Sequence, residues 1–283
     1  MLTRMVDRLL DAQSGWAEPL GDAVHGLTQA IFHPLRPLRD LLNGAWVGHP
    51  LHALLTDAPI GALTMTLIFE VLDQHVAADV SLVFGVLAML GAMAAGLADF
   101  SETDGRRRTR VTIHASLMVV ALVLFLISLG LRASGPGRTV PFILAIVGYL
   151  IVAFGAHTGG LVVYAMGNMV DRHAFLPSGK KWVALEAPAD LPDGQPVLAT
   201  LGLQRLALVR VGPAIHALHA DCAHAGGPLA EGAVVDGCLE CPWHGSRFRL
   251  VDGRAVRGPT AYDQPAYEVR QAEVGGWEAR RVS

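Results

Sequence analysis

The chain has 283 residues, 52% of them hydrophobic and only 17% charged, and its formal net charge is −3. That length allows two domains. The composition excludes an ordinary soluble protein, the charge gives no case for a nucleic-acid partner, and three cysteines (Cys222, Cys238, Cys241) imply no disulfide framework.

Residues 1–48 form a mixed N-terminal segment. Leu2, Met5, Val6, Leu9 and Leu10 recur at helical spacing, with Arg4, Asp7, Arg8 and Asp11 opposite. The pattern predicts an amphipathic helix, lying either on a membrane surface or against other helices. It contains no apolar signal-peptide core and no cleavage signal, so any membrane insertion uses internal segments. The stretch HPLRPLRDLL that follows is basic and broken by proline.

Residues 49–170 carry four apolar segments, near 51–72, 80–100, 111–131 and 140–164. Each has about 20 residues, the length that crosses a hydrocarbon core. Small residues in the second (Gly91, Ala92, Ala94, Ala95, Gly96) permit close helix contact. Short connections favour antiparallel neighbours, so the expectation is a four-helix transmembrane bundle in a lipid bilayer. Asp57, just before Pro59, reads as a cap on a helix break.

An even number of crossings puts both chain ends on one side. The loop after the second segment shares that side and holds Arg106, Arg107, Arg108 and Arg110; the flanks add Arg36, Arg39, Arg172, Lys180 and Lys181. The other side has Arg132 and Arg138 alone. The positive-inside rule makes the first side cytoplasmic, which places the protein in the inner membrane as a multi-pass chain.

The same tracing brings His49, His52, His114 and His157 toward that side. Ionisable residues inside a membrane are functional candidates, and imidazoles ligate haem b or another metal ion. Interhelical hydrogen bonding is the alternative, and a proton path a third use.

A polar linker, 171–181, leads into residues 182–283. Here short β-like runs appear at Val197–Thr200, Leu206–Val211, Ile215–Leu218, Arg247–Val251, Tyr267–Gln271 and Trp277–Arg281, separated by turn signals such as Asp193-Gly194, Asp236-Gly237 and Asp252-Gly253. The whole chain therefore reads as multidomain, an all-α bundle followed by a small all-β domain. No repeat of 20–50 residues is evident.

Within the β-like region lies CAHAGGPLAEGAVVDGCLECPWHGSRF, residues 222–248. Cys222 and His224 are one residue apart; Cys241 and His244 are two apart. Two thiolates and two imidazoles on two short glycine-containing loops suit a soft or borderline metal. A structural zinc site is the alternative, although zinc fingers pair Cys with Cys and His with His in sequence. Cys238 reads as an ordinary packed cysteine.

The stretch resembles the Rieske [2Fe-2S] family, from about Trp182 to the C-terminus, on CPWHG with Ser246 and Phe248 after it and on the later loop Gly258-Pro259. The resemblance implies a [2Fe-2S] cluster with Cys222 and Cys241 on one iron and His224 and His244 on the other. It also implies supporting roles for Ser246 and Pro259. High-potential members carry two further cysteines, where this chain has Gly227 and Trp243, and a tyrosine donor, where it has Phe248. Fewer donors to sulfur destabilise the reduced state, so the expected potential lies toward the lower end of about −150 to +300 mV. The two further cysteines of the high-potential members form a disulfide, and its loss here suits a reducing cytoplasm.

The stretches GHPLHALLTDAPIG and GGLVVYAMG resemble a bacterial four-helix membrane family over roughly 42–170, one sometimes fused to Rieske domains. Together the resemblances imply a membrane-anchored electron-transfer protein with an electron donor and an acceptor that no motif identifies. A quinone- or haem-linked membrane reductase and a redox-sensing transporter or regulator are the alternatives. No separate catalytic domain and no two-His, one-carboxylate iron motif is recognisable.

Overall fold

Among the described residues of this computed structural model, seven α-helices precede ten strands. The structure describes residues 2–282 apart from 136, 178, 180, 189 and 274, so Ser178 and Lys180 of the expected linker lie outside the described residues. The chain divides into two units, one of residues 1–38 and 51–168, the other of 39–50 and 169–283. The expected N-terminal segment is thus shared between the units, and the expected linker belongs to the second.

The first unit holds α1 (Leu2–Asp11), α2 (Ser14–Phe32), α4 (Leu51–Val71), α5 (His75–Phe100), α6 (Gly105–Ser134) and α7 (Thr139–Tyr164); α3 (Arg36–Asn43) crosses the division. Four of them, α4 to α7, are long and apolar enough to cross a membrane. Their outer faces carry residues such as Phe84, Leu87, Val120, Leu126 and Leu150, all exposed, while Ala92, Ala95, Ala121 and Ala145 are buried. Only 22–33% of each apolar stretch is buried. A soluble bundle hides its large apolar side chains and exposes polar ones; this one does the reverse, as a lipid-facing bundle must.

The bundle is built from two like hairpins. In α4–α5, a Cβ on Gly85 would meet Leu63 at 3.1 Å; in α6–α7, a Cβ on Gly148 would meet Phe125 at 2.8 Å. Leu63, Thr66 and His52 of the first hairpin correspond to Phe125, Ser128 and His114 of the second. Gly85, Ala92 and Gly96 correspond likewise to Gly148, Gly155 and Gly159. The repeat is one hairpin long, and on α5 and α7 it consists of small residues.

α1 and α2 pack on the bundle: Val6 and Leu10 of α1 and Ala17 of α2 share a core with Ile113. Arginines in the first turns of α6 hold the first two helices down. Buried Arg110 donates to Asp11 at 2.7 Å, Arg106 to Asp11 at 3.1 Å, and Arg108 to Asp22 at 2.6 Å. At the opposite end of the hairpins Arg132 and Arg138 both pair with Glu70 and Asp79, Glu70 being almost fully buried. The break expected at Asp57 does not occur. Helix α4 runs through Pro59, whose missing N–H removes one backbone bond while packing of that buried proline holds the helix together.

The second unit, past the end of α3, is built on β-strands. A six-stranded antiparallel sheet runs β1 (Val183–Leu185), β10 (Trp277–Arg281), β9 (Ala266–Gln271), β4 (Ala214–His219), β3 (Gln204–Val211) and β2 (Pro196–Leu201). A four-stranded sheet runs β5 (Ala233–Val235), β6 (Cys238–Glu240), β7 (Arg247–Arg249) and β8 (Ala255–Arg257). Leu218, Leu229, Leu239 and Phe248 form a buried core together with Cys222 and Cys241. Each large apolar side chain so buried contributes about 1.5–3 kcal/mol. Asp236-Gly237, with φ of 52° and 74°, makes the two-residue turn between β5 and β6. Both residues take the left-handed conformation that such a hairpin turn demands, and β6 then leads directly to Cys241.

Candidate metal centre

Two loops of the second unit close in the same way. After β4, the Cys222 N–H donates to the Gly227 carbonyl at 2.9 Å and the Gly226 N–H to the Cys222 carbonyl at 2.8 Å. After β6, the Cys241 N–H donates to the Ser246 carbonyl at 2.8 Å and the Gly245 N–H to the Cys241 carbonyl at 3.1 Å. Each loop thus begins on a cysteine and turns on a glycine four residues later. Gly226 and Gly245 have φ of 80° and 76°, conformations that cost any other residue strain. The histidine stands between cysteine and glycine in both.

The four expected ligands come together as two like pairs. Cys222 and Cys241 are buried, and their thiols hydrogen-bond to each other. That bond pulls the Cys241 thiol down to about 7, against the effect of burial and helped by the N–H groups of Trp243 and His244. Cys222 is pushed up, first by its bond to Cys241 and then by burial. His224 and His244 present Nδ1 to Nδ1 at 3.2 Å, with ring centroids 4.9 Å apart and ring planes at 90°. Among the described residues no three His, Cys, Asp or Glu side chains gather round a single point.

This donor set fits a binuclear iron–sulfur group, in which sulfur ligands serve one iron and nitrogen ligands the other. The loops also leave room beside the sulfur. A Cβ on Gly227 would come within 2.7 Å of Cys241 Sγ and 3.1 Å of the Trp243 ring. Gly227 and Trp243, read as standing where high-potential relatives carry paired cysteines, are therefore in contact.

Supporting residues surround the loops. Ser246 is fully buried and its Oγ accepts the Thr260 N–H at 3.3 Å, which leaves the hydroxyl proton available for another acceptor. Pro259 is buried in the adjoining loop. Phe248 lies in the core that includes both cysteines. Cys238 packs in β6, where burial raises its thiol, and it takes no part in the thiol pair.

Two supports escape a sequence reading. Gln264, 1% exposed, accepts the Ala223 N–H at 2.9 Å and donates to the carbonyls of His219 and Asp221, both at 2.7 Å, so it pins the first loop. Arg39, 7% exposed, donates to the His244 carbonyl at 3.4 Å. Asp40 next to it lies near Arg257, and a Cβ on Gly258 would meet the Asp40 carboxylate at 3.0 Å. No local motif marks either residue; both act across long stretches of sequence.

The membrane histidines are brought together only in part. His52 and His114 stand with ring centroids 6.2 Å apart. His157 faces outward on α7, and His49 is exposed in the second unit, its Nδ1 3.0 Å from the Pro50 carbonyl. Of the three candidate histidines in the helical unit, the structure brings two together. Tracing helices up and down fixes depth but not direction. His157 lies two residues, about 200° of helix rotation, from the inward Gly155 and Gly159.

Comparison with known proteins agrees with both halves. The family model described as Rieske [2Fe-2S] domain matches residues 181–268, and that described as predicted membrane protein (DUF2231) matches 48–172. The anthranilate 1,2-dioxygenase ferredoxin subunit of Burkholderia cepacia is 30% identical over 90 residues, 32% of this chain and 83% of that protein. The ferredoxin component of the naphthalene 1,2-dioxygenase system of Pseudomonas aeruginosa is 30% identical over 91 residues, 32% of this chain and 88% of that one. Among solved structures, the ferredoxin of carbazole 1,9a-dioxygenase from Nocardioides aromaticivorans IC177 shares 24% identity with a TM-score of 0.32, covering 36% of this chain and 97% of that one.

Proposed function

The chain belongs to the Rieske [2Fe-2S] family through its residues 181–268, and from that premise we propose that it is a membrane-anchored, low-potential electron carrier working at the cytoplasmic face. The observation that carries the reading is the convergence of Cys222 with Cys241 and of His224 with His244 from two loops of like construction. In this reading the two cysteines hold one iron and the two histidines the other. The group supplies one-electron chemistry when bound. The chain's own residues fix its position, bury the sulfur side and leave His244 part-exposed beside the exposed Trp243 ring.

The relatives named as ferredoxin subunits support a carrier that passes electrons to a partner oxidoreductase. The four apolar helices support attachment to the bilayer, with both chain ends on the arginine-rich, cytoplasmic side of the inner membrane. The paired histidines of the bundle favour a second reading, in which the helical unit is itself a redox component.

The reading is tested with full-length protein from membranes. The protein is expected to partition with the membrane fraction, to titrate as one electron toward the low end of the Rieske range, and to give cytoplasmic signals from reporters fused after Arg106 and at the C-terminus. A periplasmic C-terminal reporter contradicts the sidedness. A soluble product contradicts the anchor.

A further inference from the structure

Two histidines of the helical unit repeat one arrangement. His52 Nδ1 in α4 lies 2.7 Å from the Ala92 carbonyl in α5, and its ring covers Gly96, where a Cβ would come within 3.0 Å. His114 Nδ1 in α6 lies 2.8 Å from the Gly155 carbonyl in α7, and its ring covers Gly159, where a Cβ would come within 3.1 Å. The carbonyl and the glycine are one helical turn apart in each case, so the second hairpin copies the first.

A carbonyl oxygen only accepts. Each imidazole therefore carries its proton on Nδ1, and each Nε2 has a bare lone pair. This is how metal-binding histidines are commonly held: one ring nitrogen donates to a backbone carbonyl, which fixes the tautomer and strengthens the other as a ligand. Neither Nε2 has a hydrogen-bond partner among the described residues.

The ring centroids are 6.2 Å apart and the planes are at 81°. An ion at about 2.0 Å from each Nε2 lies about 3 Å from each centroid. The observed spacing therefore matches two imidazoles on opposite sides of one ion. No third His, Cys, Asp or Glu joins them among the described residues, so the protein offers two donors and the other ligands come from elsewhere. A haem macrocycle meets that need, since it fills the equatorial positions and takes protein ligands axially.

The geometry points to His52 and His114 as the two protein ligands of one transition-metal centre inside the helical unit, either haem iron or an ion completed by non-protein ligands. It does not rest on the carrier reading of the β unit. His157, exposed on α7, takes no part.

The test uses full-length protein extracted from membranes of cells grown with added iron and a haem precursor. A pyridine haemochrome assay reads haem; elemental analysis reads metal beyond the two cluster irons. One haem, or one further ion, per chain is expected, and the two assays tell these apart. His52→Gln and His114→Gln keep an amide donor for the carbonyl but lose the imidazole, and each should lower occupancy about tenfold or more. His157→Ala should leave it unchanged. The cluster's absorbance in the same samples reports that the chain is folded. Full cluster content in the wild-type protein with neither haem nor additional metal overturns the proposal, as does undiminished occupancy in both glutamine variants.

Discussion

His224 and His244 turn their Nδ1 atoms toward each other at 3.2 Å from separate loops. In that contact one imidazole donates its Nδ1 proton to the other, and a metal at both Nδ1 atoms moves that proton to Nε2 while the ring stays neutral. The cysteine ligands bind as thiolates, so cluster assembly in this protein is expected to be pH-dependent. Either His→Ala change should abolish the visible absorbance of the cluster while leaving the β unit folded by circular dichroism. Retention of a full cluster in His244→Ala would remove His244 from the ligand set.

Hydrogen-bond donors near the sulfur atoms set the potential. Phe248 is completely buried in the core that holds Cys222 and Cys241. Phe248→Tyr is expected to raise the potential by about 40 mV, the equivalent of one hydrogen bond of about 1 kcal/mol in a one-electron couple. Ser246→Ala is expected to lower it by a similar amount, because the Thr260 N–H occupies Oγ as an acceptor and leaves the hydroxyl proton to donate. Redox titration of both variants checks the pair; a potential that moves in neither shows that these positions do not address the cluster.

Arg39 brings a buried positive charge to the backbone of His244. A nearby cation favours the more negative, reduced state. Arg39→Gln should lower the potential, on the order of tens of millivolts, with cluster content unchanged. The neighbouring Asp40 carboxylate, 3.7 Å from Arg39 Nε, offsets part of the effect, so Asp40→Asn is expected to shift the potential the other way.

Much of the site was legible in the sequence, because its chemistry is written in local spacing: a cysteine and a histidine on each of two loops, each with a glycine four residues beyond its cysteine. The longer strands were legible from alternation, and the four apolar helices from length. The strand expected over Arg247–Val251 stops at Arg249, and the three-residue strands Val183–Leu185, Ala233–Val235, Cys238–Glu240 and Ala255–Arg257 were not legible, since three residues carry no period. Helix α2 was missed because its surface mixes small, polar and apolar residues. Arg39 and Gln264 were invisible because what they touch depends on the folded chain. The hairpin repeat hid in glycines and backbone carbonyls, where side-chain comparison has little to compare.

His173 and His219 meet edge-on, with ring centroids 4.7 Å apart and planes at 60°, within the β unit. Burial, and then the neighbouring His219, lower the His173 value to about 4, and the Asp171 carboxylate at 3.9 Å only partly offsets this. The folded value lies below the ordinary 6.5, so the folded protein resists a proton that the unfolded chain accepts. Stability is therefore full above about pH 6.5 and falls toward pH 4, by about 1.4 kcal/mol per pH unit for one such group. His173→Phe is expected to flatten this part of the melting-temperature profile. An unchanged slope removes His173 as its source.

Glu70 sits almost fully buried between Arg132 and Arg138. Removing one partner of a buried pair exposes the desolvation cost of the others. Glu70→Gln leaves both arginines to Asp79, and a loss of about 3 kcal/mol is expected, read as a lower melting temperature in detergent. Asp79 is more exposed, so Asp79→Asn should cost less; the reverse order would contradict this account of the charge cluster.

The most direct test of the central claim is a single sample of full-length protein, reduced with dithionite, measured by pulsed EPR and by iron and sulfide analysis. The account predicts two irons and two sulfides per chain and a paramagnetic centre coupled to two nitrogens, with both couplings lost in the His224→Ala, His244→Ala double variant. Stoichiometric zinc without iron, from cells with an ample iron supply, contradicts it.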